Sequence, residues 1–169
     1  GLVGAKSPVP GYDLSVTGTK SELSAVLRQY GASKADWWEL LTSGQGLRWL
    51  MQTTPQAVVL VALPNDYLQM VIEDLQSMTT DEASRIFVFT SEVGRRSLAR
   101  LPHVTAMPYD ERLESIPGYA GTRTDFPQRA LRHFTATLGG HRLAPKDAIT
   151  AVIKAMSACA FRAAPKRSR

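Results

Sequence analysis

Small polar side chains follow each of three short apolar runs in the middle of the chain. The runs cover residues 57–63, 85–90 and 104–107. The polar residues that follow them are Asn65, Asp66, Ser91, Tyr109 and Asp110. The carboxyl ends of parallel strands meet at one edge of a sheet, and open α/β folds bind their ligands at that edge. If the three runs are parallel strands, the sequence therefore predicts a ligand site where these polar residues meet.

A glycine-bearing loop at residues 117–125 extends this predicted site. It leads directly into a predicted helix, and the free amides at a helix start attract anions. The hydroxyl of Thr122 and the guanidinium of Arg123 would complete an anion pocket, with Thr124 as the N-cap of the helix. The loop matches neither GxxxxGK[ST] nor GxGxxG, so the pattern identifies neither a nucleotide nor any other cofactor.

Charge is distributed unevenly along the 169 residues, whose formal net charge is +5. Residues 1–84 hold 5 Lys and Arg against 9 Asp and Glu, whereas residues 85–169 hold 15 against 6. A basic second half favours an anionic partner, and nucleic acid is the first candidate. With the ligand site at the carboxyl edge of the sheet, the first expectation is a nucleic-acid-associated or nucleotide-sensing Rossmann-like domain. The predicted phosphate contacts are Arg95, Arg96, Arg132, Lys166 and Arg167.

Two other classes of function are open alternatives. The chain is either a noncatalytic interaction domain of a larger assembly, whose basic half docks on an acidic protein, or a hydrolase or transferase that uses Asp110 and Asp66. No nucleophile-elbow motif and no clear acid–base pair of carboxylates is recognisable, so whether a reaction is catalysed stays open. The three His and the single Cys show no zinc-ligand spacing, and no metal site is predicted.

The elements that must position these residues indicate a small three-layer, Rossmann-like α/β domain with a mainly parallel sheet and a helical N-terminal segment. Residues 57–63 and 85–90 are continuously apolar, which is typical of strands covered on both faces. A predicted helix over 66–78 separates them, and such a strand–helix–strand unit is right-handed and parallel. A further strand within residues 12–17 would extend the sheet at one edge.

Composition divides the chain into three parts. Residues 1–18 are rich in Gly and Pro and are predicted to be a flexible lead or linker. Residues 19–161 form a single domain, helical over 19–53 with the α/β core at 57–161. Residues 162–169 form a basic mobile tail. Because the chain begins without Met, we interpret it as a piece of a longer protein or as the remnant of a tag.

No apolar stretch approaches the roughly 18 residues that a membrane-spanning helix needs, so no membrane contact is predicted. A single cysteine, Cys159, excludes an internal disulfide bond. A reducing, cytoplasmic location is therefore the expectation. The sequence makes no prediction of oligomeric state.

Two tryptophans lie side by side in the predicted N-terminal helices. Trp37, Leu40 and Leu41 have the i, i+3, i+4 spacing of a helix face that packs on a core. Trp38 points about 100° away from Trp37 and is the one predicted to be exposed. Packing, rather than stacking on a ligand, is the favoured role of these rings.

The helix predicted from Phe126 to Leu138 has an apolar stripe at a spacing of four residues. Its polar residues, Gln128, Arg129, Arg132 and His133, are assigned to the opposite side. Asp125 and Arg129, four residues apart, are expected to form an ordinary surface ion pair. A last helix is predicted from Pro145 to about Phe161.

Overall fold

The computed structural model describes residues 22–138 and 144–159. The helices in these ranges are α1 Glu22–Gln29, α2 Lys34–Thr42, α3 Leu47–Thr53, α4 Asn65–Ser77, α5 Thr80–Ser84, α6 Glu92–Leu98, α7 Phe126–Leu138 and α8 Pro145–Cys159. The strands are β1 Val59–Ala62, β2 Ile86–Phe89 and β3 Thr105–Ala106, and a 3-10 helix covers Glu111–Ser115. The strand predicted within residues 12–17, and the tail with Lys166 and Arg167, lie outside the described residues.

The three strands form one parallel sheet in the order β1-β2-β3. Val59 lies opposite Ile86, and Phe87 lies opposite Thr105. The predicted mixture of helices with a parallel sheet is confirmed, although each strand is shorter than its apolar run. Because the spatial order follows the chain order, the described sheet contains no point at which the strand order reverses.

Strand β2 is buried on both faces, which explains its continuous apolar sequence. Ile86 and Val88 belong to one buried cluster, together with residues of α1, α3, α4 and α6. Phe87 and Phe89 belong to a second cluster, together with residues of the 3-10 helix, α7 and α8. Successive side chains of a strand point to opposite faces, so a strand covered by helices on both sides carries no polar position.

The N-terminal segment is helical, as predicted, and α2 begins at a capping box. The Oγ of Ser33 accepts a hydrogen bond from the Asp36 amide at 3.0 Å, and the Ser33 amide donates to Asp36 Oδ2 at 2.6 Å. These two bonds satisfy amides that a helix start otherwise leaves unpaired.

The prediction that Trp38 is exposed is wrong. Its Nε1 donates a hydrogen bond to Asp74 Oδ2 at 2.9 Å, and the Leu47 amide donates to the same oxygen at 2.8 Å. A half-buried carboxylate needs such donors, and here they join α2 and α3 to α4. Leu40 and Leu41, predicted to face the core, are instead 70% and 49% exposed.

The described helices include none that combines the length and the apolar composition needed to cross a membrane.

Candidate functional site

Helix α7 begins at the carboxyl end of β1, although it follows β3 in the chain. The Nε2 of Gln128, in the first turn of α7, donates to the Ala62 carbonyl at the end of β1, at 3.4 Å. The helix also packs on β1 and β2. The segment after β3 therefore runs back across the sheet. The 117–125 loop ends near the carboxyl end of β1, the strand that Asn65 and Asp66 follow.

The two polar residues after β1 connect α4 to its neighbours. The Oδ1 of Asn65 accepts hydrogen bonds from Gln69 on α4 and from Ser97 on α6, both at 3.4 Å. Asp66 forms an ion pair with Lys34 at the start of α2, at 3.1 Å. Both side chains thus contribute to helix packing, in addition to lying at the predicted edge.

The residues after β2 form a compact charged group at the start of α6. The Oγ of Ser91 accepts a hydrogen bond from the Gly94 amide and caps the helix. Glu92 forms ion pairs with both Arg95 and Arg96. Because two guanidinium groups share one carboxylate, the predicted phosphate contacts on α6 are partly neutralised within their own helix.

The carboxylate of Asp110, a polar residue after β3, forms an ion pair with the neighbouring Arg112. Its Oδ1 accepts the Arg112 amide at 3.0 Å and so caps the 3-10 helix, while Oδ2 lies 2.6 Å from the Arg112 guanidinium. The hydrogen bond from the Arg112 side chain is the main reason that the pKa of the Asp110 carboxyl is lowered. An acid with a lowered pKa is ionised at neutral pH, so Asp110 is poorly suited to donating a proton.

Tyr109 is buried in the second cluster and is 1% exposed. Its hydroxyl oxygen lies 2.9 Å from His133 Nδ1, and His133 Nε2 lies 3.4 Å from Thr137 Oγ1. A neutral imidazole can accept at one of these nitrogens and donate at the other. Burial, reinforced by nearby Tyr119, raises the pKa of the Tyr109 hydroxyl, and burial lowers the pKa of His133.

Arg129 is buried, which corrects its assignment to the outer side of α7. Only 5% of the residue is exposed. Its guanidinium donates to the carbonyls of Tyr119 and Thr122 and forms ion pairs with Asp125 at 3.0 Å and Glu114 at 3.7 Å. The expected surface ion pair with Asp125 is therefore present, but its arginine lies inside and ties the 117–125 loop to α7.

The loop that Arg129 holds contains the remaining predicted ligand residues. The Asp125 carbonyl accepts the first helical bond, from the Arg129 amide at 3.0 Å, so Asp125 takes the N-cap position predicted for Thr124. The Thr122 hydroxyl lies 3.0 Å from Asp125 Oδ1. Arg123 is exposed, and no hydrogen-bond or ion-pair partner for it exists among the described residues.

The side chain of the buried Arg129 passes so close to Gly121 that only glycine fits at this position of the loop. A Cβ at Gly121 would collide with the Nε, Cδ and Cζ of Arg129. Gly118, by contrast, is needed for its backbone, since its φ of +84° is a conformation that other residues rarely adopt.

The net positive charge of the chain comes from outside the described residues. Residues 22–138 and 144–159 together hold 13 Lys and Arg against 14 Asp and Glu. Within them the charge is still divided, because residues 22–84 hold 3 against 8 and the described residues from 85 onward hold 10 against 6. The described residues thus keep the uneven distribution of charge along the chain, but they lack its net positive charge.

Metal-ligating side chains do not assemble in this part of the chain. Within residues 22–138 and 144–159, no three side chains of His, Cys, Asp or Glu are grouped so that they could hold a metal ion.

Several residues that shape the site are absent from the predicted ligand and phosphate contacts. They are Lys34, Gln69, Ser97, Tyr119, Arg129 and His133. For Arg129 and His133 a signal existed, since each lies three residues after a buried residue of α7, Phe126 and Ala130 respectively, and so shares its face. The pairing of Lys34 with Asp66 joins residues 32 positions apart, and no local pattern indicates it.

Replacing Arg129 with Met should destabilise the protein by about 2–3 kcal/mol, because two carbonyl groups and two carboxylates lose a buried donor. Urea unfolding followed by circular dichroism measures the change. Arg123→Met is the matched control and should stay within about 0.5 kcal/mol of the parent, since this arginine is exposed. Equal effects of the two substitutions would contradict the structural role of Arg129.

Acidification below about pH 6.5 should destabilise the protein through His133. The folded state lowers the pKa of this imidazole, so the unfolded chain binds the proton more readily and stability falls as the pH falls. Urea midpoints measured from about pH 7.5 to pH 5 should therefore vary less in His133→Gln than in the parent. The control His103→Gln, at an exposed position, should keep the parental dependence of the urea midpoint on pH. If His133→Gln keeps it as well, His133 is not the source of this dependence.

Comparison of the chain with protein-family models, with curated proteins and with solved structures gave no match. Its function is therefore argued from its own residues.

Proposed function

We propose that this chain is a noncatalytic domain that binds nucleic acid through one surface at the start of α7. This surface, called here the loop–helix surface, consists of the 117–125 loop and Arg132 on α7. The observation that carries the proposal is that Arg123 is exposed and has no partner among the described residues, on a loop whose neighbouring carbonyls are fixed by Arg129. A guanidinium group without a carboxylate partner, carried by a backbone in a fixed position, is available to bind a phosphate group of a ligand.

The fold supports a Rossmann-like arrangement with its ligand surface at the carboxyl edge. Alternate residues of β2 pack into two different buried clusters, and each cluster includes helices. Open parallel sheets bind their ligands outside the carboxyl ends of their strands. The chain returns from β3 to the carboxyl end of β1, and the loop–helix surface lies where it arrives.

The electrostatics of the second part of the chain favour an anionic ligand. Five of its basic side chains have no carboxylate partner among the described residues, and these are Arg100, Arg123, Arg132, Lys146 and Lys154. Glu92 reduces the contribution of Arg95 and Arg96, which we place at the margin of the binding surface. Lys166 and Arg167, outside the described residues, are proposed to add phosphate contacts that do not depend on sequence.

The proposal is tested by fluorescence anisotropy with short labelled oligonucleotides across a salt series of about 50–200 mM. The parent protein should bind, and the logarithm of its association constant should fall linearly with the logarithm of the salt concentration. Arg123→Ala should weaken binding to every sequence and reduce the magnitude of this slope by about one, because one phosphate contact is lost.

Arg48→Ala provides the control, since Arg48 is an exposed arginine on α3, in the acidic part of the chain. It should leave the affinity and the slope unchanged. Absence of binding at low salt, or equal losses in the two variants, would refute the proposed surface.

A second candidate is a domain that docks on an acidic protein. The observation that favours it is the division of charge in the described residues, acidic up to residue 84 and basic beyond it. Such a division of charge can orient the domain on the surface of an acidic protein, and no small ligand is needed. A stable complex with an acidic partner, combined with failure to bind oligonucleotides, would favour this candidate.

The hydrolase or transferase alternative rests on Asp110 and Asp66. Each of these carboxylates is paired with a cation, Arg112 and Lys34 respectively, and the lowered pKa of Asp110 disfavours a role as proton donor. These contacts support our preference for binding over catalysis.

A further inference from the structure

The loop–helix surface contains two basic side chains that differ in their surroundings. Arg123 is exposed and has no partner within residues 22–138 and 144–159, whereas the guanidinium carbon of Arg132 lies over the ring of Tyr119, 4.7 Å from its centroid. Arg132 also donates a hydrogen bond to the Gly118 carbonyl. Its guanidinium plane is therefore held in one orientation, although the residue is exposed.

The ring beneath Arg132 is itself supported from the interior. Tyr119 meets the buried His133 ring at an interplanar angle of 80°, with the centroids 5.1 Å apart. Its carbonyl is held by Arg129. Arg132 over the face of Tyr119, and Tyr119 in a T-shaped contact with His133, thus form a continuous series of contacts from the surface to the second buried cluster. A side chain fixed in this way loses little conformational freedom when a ligand binds to it.

A fixed guanidinium plane recognises a different part of a nucleic acid from a mobile charge. Flat, delocalised guanidinium groups stack on the faces of nucleic acid bases, and single strands are bound through such stacking. In a duplex the base faces are covered by neighbouring base pairs. Phosphates, in contrast, are accessible in both forms and are contacted by any cation that can reach them.

From this geometry we infer that the ligand of the loop–helix surface is single-stranded nucleic acid, with an unpaired base stacked on the outer face of the Arg132 guanidinium. The inference rests on the proposed function and assigns its substrate class. Arg123 then contacts a phosphate of the same strand, and Arg132 is a stacking residue and not the phosphate contact predicted from the sequence.

The other aromatic residues near the surface of the described part of the chain do not offer an equivalent platform. Trp37 and Trp38 pack against the first buried cluster. Trp49 and Tyr30 are more exposed, at 40% and 77%, but they lie in the acidic part of the described chain, where phosphates are repelled. Tyr30→Leu is accordingly a control for substitutions of Tyr119.

The test compares two arginine-to-lysine substitutions, which keep the charge and remove the plane. Anisotropy is measured with a labelled single strand and with a duplex of the same sequence. Arg132→Lys should weaken binding of the single strand by about tenfold and leave duplex binding nearly unchanged, because one stacked base is lost. Arg123→Lys should bind both forms like the parent, because lysine still supplies a charge to a phosphate.

Tyr119→Leu should reproduce the selective loss seen in Arg132→Lys, since it removes the ring that orients the guanidinium, and Tyr30→Leu should not. Circular dichroism confirms that each variant is folded.

Three outcomes would overturn the inference. If Arg132→Lys binds the single strand like the parent, Arg132 acts as a charge alone and the proposed function stands without the stacked base. If the parent prefers the duplex, the substrate class is wrong. If an excess of AMP displaces the single strand, the site takes free nucleotides. Failure of the parent to bind any oligonucleotide is a separate result, which refutes the proposed function itself.

Discussion

The buried guanidinium of Arg129 is the contact on which the candidate surface depends. It replaces hydration with hydrogen bonds to two loop carbonyls and ion pairs to two carboxylates, which is the condition for burying a charge. The 117–125 loop has no regular secondary structure, so its backbone must find partners elsewhere. Arg129 supplies a donor for two of its carbonyls, and Gly121 leaves the space through which the arginine side chain passes.

The sheet determines where this loop is presented. Strand β2 is covered on both faces, so the chain after β3 has to cross back over the sheet before α7 packs on β1 and β2. The crossing brings the start of α7 to the carboxyl end of β1. The loop that carries Arg123 also carries Tyr119, whose ring meets the buried His133 ring in a T-shaped contact.

The elements of the core could be predicted from the sequence because their signals are local. Continuous apolar runs indicate β1 and β2, and Ser33 with Asp36 indicates the start of α2. Trp38 could not be assigned correctly, since its indole N–H is paired with Asp74, 36 residues away. Arg129 differs from Trp38, because its spacing from Phe126 is a local signal that places it on the buried face, whereas its charge indicates exposure. The stacking of Arg132 on Tyr119 depends on the loop conformation, which no periodicity encodes.

Where a ligand contacts the described residues is the central question, because the net positive charge of the chain lies in residues outside them. The most direct measurement is a titration of ¹⁵N-labelled protein with an unlabelled single-stranded oligonucleotide, followed by amide chemical shifts. Binding at the loop–helix surface should shift the amides between Gly118 and His133 and leave the amides of α1–α3 unchanged. Shifts confined to α1–α3, or to the terminal residues alone, would contradict it.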